Sequence, residues 1–371
     1  MDPAALSAAI RTESALDFFS SCRCSTSLPV TYVEGLDALL YGTDAALRRG
    51  DVVEVQGLPS SGKTSLLLHL AATALLMRKA HVRIDGSVAE VRVGGKEETV
   101  VWMDCTSRFD IARLASLVRH HLDVAIQRFR RPRGLGAPTV EELDSLVEEC
   151  LARLHVFHPT STLQLATTVQ GLPDWFKDHA TDDLGYVLVD GMSEFAWADQ
   201  YVRETTPKPA PPNPPLPPLR LLLAAIANLR QTLAPVIFIT QWVFRPSVTL
   251  PHLSQEKLPF YQHHFAPPHW PSISSPSPSI DPSDPLKPPT LPNSDWPTFP
   301  IKLHITTHPP AKAVFRKGVG LATVLSESRK ENGEGEGEGK GTEGIKCVLR
   351  GPGGKEIGSW EMGVHDLEIV T

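Results

Sequence analysis

Four short runs of almost unbroken apolar residues punctuate the chain, at 52–56, 100–104, 185–190 and 235–241. Runs of this length, rich in Val and Ile, are the pattern of strands buried on both faces. Between them the apolar positions recur at helical spacing, over 63–78, 109–129, 140–154, 163–176 and 219–234. "HVFHP" (155–159) reads as one more short strand, and 86–98 as a glycine-containing excursion before the strand at 100–104. Strands alternating with helices predict an α/β fold whose mostly parallel sheet is sandwiched by helices. Farther on, "WPTFPIKLHITT", "KGVGLATVLSES" and "GIKCVLRGPGGKEIGSWEMG" alternate like antiparallel edge strands joined by glycine turns.

Proline divides this pattern. Of 34 prolines, eight lie in 207–218 and fifteen in 246–300, and a chain without those N–H groups builds neither ladder nor helix. Both segments are expected to be disordered inserts, as is the acidic, glycine-rich run at 331–344. The division expected is a flexible leader over 1–29 and one domain over 30–371 that carries the three inserts.

Charge and composition narrow the class. A formal net charge of −6 argues against a generally basic nucleic-acid binder but leaves room for a local patch, and "RFRRPR" (128–133) is the densest basic cluster. That cluster suits a nuclear import signal, a DNA patch or simply a solvated loop. No apolar run approaches the roughly 20 residues needed to span a bilayer, so no membrane partner is expected. The N-terminus has acids and no basic region before its apolar residues, unlike a signal peptide. Five scattered cysteines, at 22, 24, 105, 150 and 347, suit a reducing compartment.

The candidate chemistry begins where the first strand ends. "GLPSSGKT" (57–64) is G-x-x-x-x-G-K-T, set between that strand and an apolar helix. Gly57 and Gly62 let the backbone bend so that successive N–H groups point inward as an anion nest, and Gly57, Leu58, Pro59, Ser60, Ser61 and Gly62 are expected to line the nucleotide. Lys63 supplies a point charge for the β- and γ-phosphates and the Thr64 hydroxyl a ligand for Mg²⁺. ATP with Mg²⁺ is therefore the expected cofactor. "YVLVD" ends in Asp190, the carboxylate needed beside such a loop to hold the metal directly or through water. "VIFITQ" ends in Gln241, either a γ-phosphate sensor or a solvent-facing strand end.

Taken in order, "YVEGLDALLYG", the phosphate loop, "VVWMDCTSRFDIARLASLV", "YVLVDGMSEFAWAD" and "VIFITQ" resemble the RecA/RadA-type recombinases. Among these they are most similar to the eukaryotic recombinase paralogues of the X-ray-repair cross-complementing group two type. The resemblance covers residues 30–250 and thins toward the C-terminus. It implies a RecA-like nucleotide-binding core and places Arg113 against the adenine face, where a guanidinium stacks on a base; a solvated helix arginine is the alternative.

Two departures shape the functional expectation. Family recombinases carry a glutamate two residues past the strand-end Asp, and here Thr106 follows Asp104-Cys105. Loss of a general base typically costs ~10²–10⁴ in rate, and Asp104 is expected to face the other side of its strand. Filament-forming relatives also use an exposed Phe-x-x-Ala; "FAWA" (195–198) has those letters but is expected to be core packing. The expected DNA loops, after Asp190 and Gln241, hold proline tracts with only Arg203, Lys208 and Arg220 as cations near the first. These features imply a nuclear ATP-binding paralogue in homologous-recombination repair of double-strand breaks. It would act as a subunit beside a sister paralogue, hydrolyse ATP weakly and bind single-stranded or branched DNA weakly when alone. The alternative is an active DNA-stimulated ATPase that remodels recombinase filaments on single-stranded DNA.

Overall fold

A computed structural model describes residues 30–41, 46–179, 183–205, 218–242, 301–308, 345–351 and 355–362. The expected leader, most of the three inserts, Cys22, Cys24 and "KGVGLATVLSES" lie outside the described residues. Among them the strands are β1 (Val52–Gly57), β2 (Lys79–Ile84), β3 (Ser87–Arg92), β4 (Thr99–Asp104), β5 (Leu154–Phe157), β6 (Leu184–Asp190), β7 (Val236–Trp242), β8 (Ile301–His308), β9 (Ile345–Arg350) and β10 (Glu356–Met362). The helices are α1 (Glu34–Leu40), α2 (Lys63–Leu75), α3 (Ile111–Arg130), α4 (Val140–Leu151), α5 (Thr162–His179), α6 (Ala196–Thr205) and α7 (Pro218–Thr232).

Eight of the strands form one sheet in the order β10-β9-β8-β1-β7-β6-β4-β5. β8, β1, β7, β6, β4 and β5 run parallel, and β9 and β10 return antiparallel at the C-terminal edge. This is a mostly parallel α/β sheet with an antiparallel extension, the layout of a RecA-like core. One expectation needs correcting: β8, expected in the antiparallel extension, pairs parallel with β1. A strand's own alternation carries no direction; the crossover before it sets that.

Strand alternation sorts the core into two layers. Val53, Val55, Trp102, Leu188 and Phe238 face α2, α3 and α4, while Val101, Met103, Val187, Val189, Ile237 and Ile239 face α5 and α7. α2 is buried on every side along Leu66–Leu75, so it shows no amphipathic stripe. It also stops at Leu75, short of 78, because residues 79–92 fold into an antiparallel hairpin, β2–β3. That hairpin replaces the expected excursion. Its turn needs positive φ at Asp85 and Gly86, 51° and 78°.

Candidate functional site

The G-x-x-x-x-G-K-T loop leaves β1 at Gly57 and enters α2 at Lys63. Two residues take left-handed backbone within it, Ser60 at φ 62° and Gly62 at φ 82°. The C-terminal strands pin the loop from outside. A Cβ on Gly62 would stand 2.5 Å from the Ile345 methyl, and one on Gly57 would run into the Thr307 hydroxyl. The Ser61 and Thr307 hydroxyls share a hydrogen bond of 2.7 Å. A backbone this tightly held, with the positive end of a 13-residue helix behind it, fits a row of phosphate oxygens.

Lys63 lies across this loop. Its Nζ donates to the carbonyls of Gly57 (3.0 Å) and Leu58 (2.7 Å). Burial lowers its pKa to about 8, against the pull of Asp190's charge. An ammonium so poorly hydrated has much to gain from an arriving phosphate.

Asp190 closes the other side. Thr64 Oγ1 donates to its two carboxylate oxygens at 3.2 and 3.0 Å, and Thr240 Oγ1 donates at 2.7 Å. Burial holds the Asp190 carboxyl above the ordinary carboxylate value; the hydroxyls of Thr240 and Thr64 oppose that, and Asp104's charge adds to it. A hydroxyl and a carboxylate meeting beside a lysine are the donors an Mg²⁺ held on a triphosphate needs. Thr240 escaped the sequence reading, although its place one residue before Gln241 was the available signal.

Asp104 corrects another expectation. It pairs in register with Asp190 on the neighbouring strand, and register partners share a face, so both carboxylates stand on the α2 side. Its oxygens are fully engaged in folding the next loop. They accept from the amides of Thr106 (3.1 Å), Arg108 (3.3 Å) and Phe109 (2.9 Å) and from the Thr106 hydroxyl (3.0 Å), and face His158 Nδ1 at 3.4 Å. Burial alone would raise the Asp104 pKa, but these bonds, Phe109's first, bring it below the usual value. Thr106, two residues past the strand-end Asp104, packs its methyl against Gly191.

The same loop fixes Arg113. Asp110 caps α3 through the amides of Ala112 (2.9 Å) and Arg113 (3.2 Å), and the Arg113 guanidinium donates to Ser65 Oγ on the first turn of α2 at 2.9 Å. Gln241 is not brought to Asp190. Strand alternation puts it on the opposite face, in register with Gln56, and at 1% exposure it is no solvent-facing strand end.

"FAWA" divides. Phe195 is buried as expected, but Trp197 is 65% exposed. A helix follows where none was expected, α6, and Tyr201 on it is 69% exposed, with Val202 beside it and Trp242 at the end of β7. Asp199 anchors this helix by accepting from Thr162 Oγ1 at 2.6 Å.

No protein-family model matches the chain. Over 165 residues it is 25% identical to the DNA repair protein XRCC2 of Mus musculus, covering 44% of this chain and 48% of that one. Over 169 residues it is 22% identical to the XRCC2 homolog of Arabidopsis thaliana, covering 42% and 43%. The chain is similar to XRCC2-type repair proteins. It spans about half the length of the curated relatives it matches. Among the described residues no helix is long and apolar enough to cross a membrane, and the described cysteines, Cys105, Cys150 and Cys347, are free and buried.

Proposed function

We propose that this chain is an ATP-binding accessory paralogue of the strand-exchange recombinases. It serves homologous-recombination repair of DNA double-strand breaks in the nucleus, as one subunit beside a sister paralogue. The similarity to XRCC2-type repair proteins supports the repair role. The observation that carries the nucleotide reading is the Thr64–Asp190 contact beside Lys63. Leu58, Pro59, Ser60, Ser61, Gly62, Lys63 and Thr64 would hold the phosphates, Thr64 and Asp190 the Mg²⁺, and Arg113 the base. When bound, that Mg²⁺ supplies charge neutralisation for the triphosphate.

Hydrolysis is slow in this reading, because no uncommitted carboxylate stands at the water-activating position. Thr106 occupies it, and Asp104 would have to surrender four donors to act as base. The rival, a DNA-stimulated filament remodeller, requires that surrender. Single-stranded DNA would lie along α6, where Trp197 and Tyr201 share a helix face and each offers a ring for base stacking. Repair complementation with Lys63→Ala separates the two readings: the accessory role expects a modest loss of break repair, the remodeller a complete one.

A further inference from the structure

The arginines that close α3 are not used by the nucleotide site. α3 starts at its Asp110 cap, beside the phosphate loop, and its 20 residues carry the chain about 30 Å away. Arg128 and Arg130 end the helix, Arg131–Arg133 form a 3-10 turn, and Gly134 stops it at φ 65°. We propose that Arg130, Arg131 and Arg133 form a docking site for the phosphate backbone of duplex DNA, remote from the nucleotide.

Three observations carry this. First, among the described residues no carboxylate pairs with Arg130, Arg131 or Arg133, whereas Arg49, Arg119 and Arg153 are each matched to an acid. The neighbouring acids are already engaged: Asp85 accepts from the Gly136 amide and Glu142 from the Arg83 amide. The helix dipole accounts for cations in the last turn of α3 but not for Arg131 and Arg133 beyond it. Second, two of the guanidiniums, those of Arg131 and Arg133, are ordered in advance. Arg131 donates to Gln127 Oε1 at 2.8 Å, and Arg133 donates to the Phe129 carbonyl at 2.7 Å while lying 4.1 Å over the Phe129 ring. Third, the shape selects the partner. Residues 128–133 are wound into helix, so a receptor groove that reads an extended basic peptide would have to unwind them. Phe129 is half-buried beneath Arg133, so the cluster offers no ring for stacking unpaired bases. Regularly spaced phosphates remain.

The test uses the full chain and fluorescence anisotropy with a short duplex, a single strand of equal length and a labelled import-receptor adaptor, from 50 to 200 mM salt. Three neutralised phosphates expect a log–log salt slope of about −2.7 on duplex. Arg131→Gln with Arg133→Gln should flatten that slope by about 1.8 and weaken duplex binding on the order of a hundredfold at the lower salt, with single-strand binding kept. Arg131→Lys with Arg133→Lys should keep the slope, and an unchanged melting temperature shows that the variants fold. No duplex binding by the wild type, an unchanged slope in the Gln variant, or loss of adaptor binding alone would overturn the proposal. Lys63→Ala, expected to remove nucleotide binding, should leave duplex binding intact, so the two readings fail separately.

Discussion

Thr64 and Asp190, 126 positions apart in sequence, meet at 3.0 Å. The contact joins the first turn of α2 to the end of β6 across the intervening β7, whose Thr240 binds the same carboxylate. It brings together two motifs that sequence alone could only set side by side.

Asp190→Asn separates stability from binding. The folded Asp190 pKa is raised, so its contribution to stability is present below the unfolded carboxylate value and lost as pH rises through the folded one. At neutral pH the ionised group is therefore a cost. Thermal scans of Asp190→Asn should show an equal or higher Tm without nucleotide and a lost Mg²⁺-dependent rise with ATP.

Acid should weaken the fold well before the carboxylates titrate. His69 and His121 sit buried with ring centroids 6.1 Å apart, and burial lowers both pKa values to about 4. The unfolded chain binds these protons near pH 6.5, so stability falls as pH drops from about 6.5 toward 4, by up to roughly 3 kcal/mol per histidine. His121→Leu should flatten that slope in urea titrations at a series of pH values; an unchanged slope would refute it.

Asp104→Ala should cost about 3 kcal/mol, because the amides of Thr106, Arg108 and Phe109 lose their acceptor. Since α3 is positioned by this loop, hydrogen exchange at Ala112 and Arg113 should accelerate as well. In the wild type the depressed pKa keeps this support intact above the unfolded value, and it fades only as pH falls through the folded one.

Thr307→Val removes the hydroxyl that holds Ser61. The expected result is about 1 kcal/mol of lost stability and weaker ATP binding, read by denaturation and calorimetry.

Much of this architecture is legible in the sequence. Tyr186–Val189 and Val236–Ile239 are continuous apolar runs, and Val52–Val55 is broken only by Glu54, because helices cover both faces of their strands. The β2–β3 hairpin hid because only alternate positions of β2, Ala80, Val82 and Ile84, are buried, and β3 lies in what read as a glycine-containing excursion over 86–98. The G-x-x-x-x-G-K-T motif is local, so its glycines and lysine declare themselves. Asp104 misled because its face is set by register with Asp190, a relation between strands. Thr240, Thr307 and the exposed Trp197–Tyr201 face depend on pairings and a helix that only the fold supplies.

The most direct test incubates the full chain with Mg²⁺ and γ-labelled ATP, then follows retained nucleotide and released phosphate together, with and without single-stranded DNA. The account expects Mg²⁺-dependent retention of intact ATP, abolished in Lys63→Ala, and phosphate release far slower than one per second. Failure to retain nucleotide, or turnover on the order of 1 s⁻¹ or faster, would contradict it.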